Sequence, residues 1–91
     1  MADVTWSKRA LNDIDDIATY IRMFHPEAAT QTEHRLKALG NGLGDFPERG
    51  RPATHGAREM LTVRPYIMRY RVIRGNVLIL RVRHSARRRL A

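Results

Sequence analysis

The chain has 91 residues, no cysteine and a formal net charge of +8, from 17 Lys and Arg set against 9 Asp and Glu. That length holds one small domain, read as residues 1–91, and the missing cysteines exclude a disulfide or cysteine–zinc framework. With 43% hydrophobic and 29% charged residues the composition is that of a folded globule, and no apolar run nears the roughly 20 residues of a membrane span.

The opening residues, Met1 to Thr5, show no basic flank and apolar run of a signal peptide, so the expected location is the cytoplasm and no membrane partner is expected. Val4 and Trp6 alternate around Thr5 as in a short strand, and Ser7 is placed to cap the helix that follows. From there Ala10, Leu11, Ile14, Ile17, Ala18, Ile21 and Phe24 recur at three- and four-residue intervals and define one apolar helix face. Asp13, Asp15 and Asp16 are assigned to the solvated side, without the converging partner a metal site would need.

Pro26 breaks this helix and suits the first turn of a second, which carries Ala29, Leu36, Leu39 and Leu43 on its apolar face. Gly40, Gly42 and Gly44 predict either a fraying end or a close approach of helix to sheet. They lack the lysine and the preceding strand of a phosphate-binding loop. The stretch from Phe46 to Pro52 is rich in breakers, and after it the period changes to two.

Strands are expected over 58–63, 66–73 and 77–84, joined by a turn or bulge at Arg64-Pro65 and a turn at Gly75-Asn76. In the middle strand Tyr66, Met68, Tyr70 and Val72 alternate with Ile67, Arg69, Arg71 and Ile73. In the last, Leu78, Leu80, Val82 and His84 alternate with Val77, Ile79, Arg81 and Arg83. The expected fold is therefore α+β: a short N-terminal strand and a helical hairpin packed on an antiparallel sheet with a C-terminal three-stranded meander.

Charge is divided between the halves. Residues 1–48 hold five Lys and Arg against eight acids, whereas residues 49–91 hold twelve Arg, no Lys and a single acid, Glu59. Arginine alone favours planar, bidentate contact with phosphate or carboxylate, so an Arg-bearing sheet face points to a polyanionic ligand. Hydrolysis of RNA would need an acid, a base and a cation. For acid and base work the basic half offers His55, His84, Glu59, Tyr66 and Tyr70; the best of these is His84, which ends a strand beside Arg83 and Arg87, although its parity also suits a hydrogen-bonded structural histidine, and that of Tyr66 and Tyr70 suits packing. The histidines at 25, 34, 55 and 84 show no metal-ligand spacing, and no cofactor is expected. Arg87-Arg88-Arg89 reads equally as a basic tail that adds phosphate affinity or as a plain terminus.

The order of features resembles the ParE/RelE family of type II toxin–antitoxin toxins. The matching segments are Trp6-Ser7, Ala10-Leu11, Asp13-Ile14 with Asp16-Ile17, Tyr20-Ile21, Pro26, Ala29, Leu43 with Pro47, and Gly50-Arg51. They continue with Arg58-Glu59-Met60, Tyr66, Tyr70-Arg71-Val72, Val77 to Val82 and His84-Ser85-Ala86-Arg87. The resemblance implies a growth-inhibiting toxin of the kind found in plasmid-stabilising modules, neutralised by a cognate antitoxin whose C-terminal segment wraps it, with operator DNA reached only through that antitoxin.

In the RelE branch, ribosome-dependent messenger RNA endonucleases, a catalytic arginine directly follows the first tyrosine of the middle strand. Ile67 holds that position here, and Ser85 holds that of a second arginine. The Arg-Glu-Met and His-Ser-Ala-Arg segments resemble the ParE branch, which implies DNA gyrase as target and no hydrolytic activity. The alternatives are a divergent ribonuclease using His84, Arg58, Arg71 and Arg83, and a non-toxic scaffold acting as co-repressor with its antitoxin. The arginines expected to contact target or antitoxin are Arg51, Arg58, Arg64, Arg69, Arg71, Arg81, Arg83 and Arg87.

Overall fold

Strand β1 (Val4–Trp6) runs straight into α1 (Lys8–Arg22), where the Ser7 hydroxyl accepts the Ala10 N–H at 3.0 Å and caps the helix as expected. The same hydroxyl donates to the Leu80 carbonyl at 3.0 Å, so one side chain fixes the helix start to the sheet. The computed structural model describes residues 2–61 and 63–88, without the side chains of Arg87 and Arg88. Pro26 opens α2 (Pro26–Gly42), where its missing N–H would be unpaired in any case, and the His25 ring caps it by accepting the Ala28 N–H.

The second half supplies β2 (Arg51–Pro52), β3 (Arg58–Met60), β4 (Tyr66–Ile73), β5 (Asn76–His84) and the short α3 (Ser85–Arg88). The sheet order is β1-β5-β4-β3-β2, with the last four antiparallel as the meander predicts. β1 is parallel to β5, because the β4–β5 turn lies beside its start with Val77 against Val4. The sheet is therefore mixed rather than wholly antiparallel.

Three local expectations are corrected. β3 ends at Met60 instead of 63, since the chain turns through Arg64-Pro65; Val63 still reaches the core, and Thr62 lies outside the described residues. The β4–β5 turn is Arg74-Gly75, not Gly75-Asn76: φ of 53° and 82° gives the two-residue turn whose twist matches the flanking strands. Asn76 instead begins β5 and accepts the Asp3 N–H. Finally, the register steps from Arg69 opposite Arg81 to Tyr70 opposite Ile79, which leaves Leu80 as an extra residue. That bulge reverses the parity of early β5, so Val77 and Ile79, not Leu78 and Leu80, join Val82 and His84 on the helix side.

The core lies between the helices and this side of the sheet, built from Ile14, Leu36, Leu43, Met68, Tyr70, Val77, Ile79 and Val82 with their neighbours. From the expected apolar stripe of α1, Ala10, Ile14 and Ala18 are buried, whereas Leu11 and Phe24 are exposed. Phe24 lies past the helix end and meets Tyr20 edge-on, ring centroids 5.4 Å apart. Gly40 explains its lack of a side chain: a Cβ there would run into the Trp6 ring and Ile79. The helix passes that close to the sheet, and Trp6 donates its indole N–H to Asn41 at 2.9 Å.

Candidate functional site

The face turned away from the helices carries arginine in the rows the register sets. Glu59, Arg69 and Arg81 are aligned across β3, β4 and β5, with Ile67 opposite Arg83 next to them. Glu59 is only 4% exposed and would be a costly buried charge alone. Arg69 Nη1 lies 3.2 Å from one of its carboxylate oxygens and Arg51 Nη2 lies 3.9 Å from the other. Arg69 Nη2 also donates to the Thr54 carbonyl at 2.6 Å, and Arg71 Nη2 donates to the His55 carbonyl at 2.6 Å. Two guanidinium groups thus strap the single 3-10 turn Thr54–Gly56 to the sheet, with His55 held at a left-handed φ of 60°.

Arg58 faces the other way, since it pairs with Tyr70, and donates to the carbonyls of Gly50 at 2.7 Å and Glu48 at 3.3 Å. Tyr70, fully buried, accepts the Gly50 N–H at 2.7 Å and donates to the Pro47 carbonyl at 2.8 Å. Together they fix the irregular stretch before β2.

Beyond the end of β1 the edge of β5 is covered by Asp13. Its carboxylate takes the Val82 N–H at 2.9 Å and both Arg81 Nε and Arg81 Nη2, at 2.8 and 3.2 Å. This corrects the placement of Asp13 on the solvated face, which holds for Asp15 and Asp16. Asp13 lies three residues after Ala10 and four before Ile17, so it borders the apolar stripe and reaches the sheet. The bonds to Asp13 push the Arg81 guanidinium above its already high ordinary pKa.

A cleft of about 680 Å³ opens between α1 and the end of β5, with Asp16, Tyr20 and Ile21 on one wall and Tyr66, Arg83 and His84 on the other. The Tyr66 and His84 rings meet edge-on at 5.7 Å, and His84 Nδ1 accepts the Ala86 N–H, which leaves Nε2 as the protonated nitrogen of the neutral ring. Burial pushes the Tyr66 phenol above its ordinary 10.0, and Tyr20 adds to the effect.

Of the eight arginines expected to make outside contacts, Arg58, Arg69, Arg71 and Arg81 are engaged within the fold, and Arg51 stands near Glu59. Arg64 is exposed in its turn, Arg83 lines the cleft, and the side chain of Arg87 lies outside the described residues. The four groups proposed for a ribonuclease do not converge: His84 and Arg83 share the cleft, whereas Arg58 and Arg71 are bonded to carbonyls elsewhere. Sequence reasoning missed the pairing roles of Glu59 and Asp13. The signal for Glu59 was present, since a single acid among twelve arginines is bound to attract more than one of them.

Residues 4–89 match the family model described as ParE toxin of type II toxin-antitoxin system, parDE. A protein of Caulobacter vibrioides named Toxin RelE2 is 48% identical over 87 residues, which cover 96% of this chain and 99% of that one. A Sinorhizobium fredii protein, Putative toxin Y4kP, is 36% identical over 84 residues, 90% of this chain and 86% of that one. The solved structure titled "Chromosomal ParDE TA system from P. aeruginosa" superposes with a TM-score of 0.83 at 25% identity, covering 92% of this chain and 96% of that one.

Proposed function

The chain belongs to the ParE family of type II toxins, and on that premise we propose that it arrests growth by trapping DNA gyrase on cleaved DNA, without itself hydrolysing nucleic acid. The observation that carries this reading is position 67. Where a RelE-type nuclease has a catalytic arginine after the first tyrosine of the middle strand, this chain has Ile67, only 5% exposed. Arg69 and Arg71, the nearest cations along β4, are bonded to backbone carbonyls of the chain's own turn. A phosphorane-like transition state needs cations aimed at one point, and in the free chain these two are turned to separate carbonyls, Thr54 and His55.

The partner is a cognate antitoxin, and the segregation of twelve arginines into one half of the chain supports an acidic segment laid over the sheet. Contact with operator DNA is then the antitoxin's role.

A second reading is a ribosome-dependent endonuclease. It is favoured by the name of the Caulobacter relative and by the grouping of Tyr66, Arg83 and His84 in one cleft. The two readings separate in paired assays of the purified chain: gyrase-dependent cleavage of supercoiled plasmid, and messenger integrity in cell-free translation. Gyrase-dependent double-strand breaks with intact messenger are expected; codon-spaced cuts with gyrase unaffected would replace the first reading by the second.

A further inference from the structure

The Nε–H and Nη2–H of a guanidinium share one edge, a fork that fits two oxygens of one oxyanion. Arg81 uses this edge in full, with Nε on Asp13 Oδ2 at 2.8 Å and Nη2 on Asp13 Oδ1 at 3.2 Å. Arg71 turns the same edge to a neutral group: Nη2 donates to the His55 carbonyl at 2.6 Å, while Nε is buried and has no acceptor among the described residues. A charged donor in that condition is a poor match for one carbonyl oxygen and a good match for a carboxylate.

We propose that Arg71 is the receptor for a side-chain carboxylate presented by an acidic, extended segment of the antitoxin, an inference that rests on the toxin–antitoxin reading above. One carboxylate oxygen takes Nη2 from the His55 carbonyl and the other takes Nε, the geometry Arg81 already makes with Asp13. The turn is closed by its own backbone bonds, Ala53 N–H to Ala57 and Ala57 N–H to Thr54, so release of His55 breaks no strand pairing there. His55 leaves a left-handed conformation that non-glycine residues adopt at a cost. Arg69 retains Thr54 and Glu59, which keeps the strap hinged at one end. A carboxylate on a narrow stem can reach a buried Nε beneath this turn, whereas a phosphodiester arrives flanked by two sugars; this favours an acidic peptide over nucleic acid.

The test is a nitrogen-15 NMR titration of the free 91-residue chain, reading the side-chain Nε–H signals of Arg71 and Arg81. The probes are a blocked hexaglutamate peptide and, separately, a ten-residue oligothymidylate. Hexaglutamate is expected to move the Arg71 Nε–H downfield in a saturable way, together with the amides of His55 and Gly56, and to leave that of Arg81 in place. R71K should weaken peptide binding by about tenfold, because lysine cannot supply the fork. If R71K loses its folded spectrum, the wild-type titration decides alone. An Arg71 signal unmoved by hexaglutamate overturns the proposal, as does one moved by the oligothymidylate and not by the peptide. A failed gyrase assay would not touch this readout, and an unmoved Arg71 would leave the toxin reading standing.

Discussion

The hydroxyl of Tyr70 stands between two backbone groups that no strand serves, the Gly50 N–H and the Pro47 carbonyl. Y70F keeps the ring and removes both bonds, leaving a buried donor and acceptor unpaired. A loss of about 1–3 kcal/mol is expected in urea unfolding, where a change under about 0.5 kcal/mol would show that the hydroxyl is dispensable. Tyr66 makes a prediction in pH. Its folded pKa lies above the ordinary 10.0 because burial favours the neutral phenol, so above that value the folded state holds a proton that the unfolded state has released. Stability is therefore flat in this term below pH 10 and falls as pH rises beyond it. Urea midpoints from pH 8.5 to 11 should fall less steeply for Y66F than for the wild type; identical slopes would remove Tyr66 as the cause.

At the level of elements, two glycines near the end of α2 have opposite surroundings, Gly40 against the sheet and Gly42 in open space. G40A places a methyl into the Trp6 ring and Ile79 and should cost about 1–3 kcal/mol through overpacking. G42A meets open space within the last turn of the helix and should gain about 0.5–1 kcal/mol from helix propensity. Thermal melts of the pair check the contrast, and equal shifts would contradict the close approach at Gly40. Most of these elements were legible in the sequence, because their signals are local: Ser7 and Pro26 mark the helix starts, and Met68 to Val72 alternates apolar residues with arginine. The two-residue turn at Arg74-Gly75 was misplaced by one because its first residue is an arginine at positive φ, a conformation more readily assigned to Asn76.

Across the whole molecule the charge distribution is the dominant fact, +8 in total with twelve arginines against Glu59 beyond residue 48. A domain of this size has a small margin of stability, so a partner that binds only the folded state should raise its melting temperature. With an acidic antitoxin at a hundredfold excess over Kd the gain is about 2.7 kcal/mol, and raising the salt from 0.1 to 1 M should reduce it. Calorimetric scans of the complex at both salt levels would show this, and a salt-independent shift would assign the binding to apolar contacts instead. The same distribution argues against reading every arginine as a contact. R58E removes the donor to the Gly50 and Glu48 carbonyls and is expected to destabilise the free chain, so lost binding in that variant would not report a lost contact.

By itself the sequence determined the α+β class, the helical hairpin, the meander and the segregation of arginine, because periodicity, caps and charge counts are properties of neighbouring residues. It carried as well the ordered segments by which the family is recognised. Only the tertiary structure decided what the arginines do. Arg81 meets Asp13 across 68 positions, Arg69 and Arg71 reach a turn some 15 residues back, and the bulge at Leu80 reverses a face that strict alternation assigns wrongly. A guanidinium looks the same in sequence whether its fork is filled by Asp13 or half-matched by the His55 carbonyl. The difference lies in which oxygens the fold brings within about 3 Å of it.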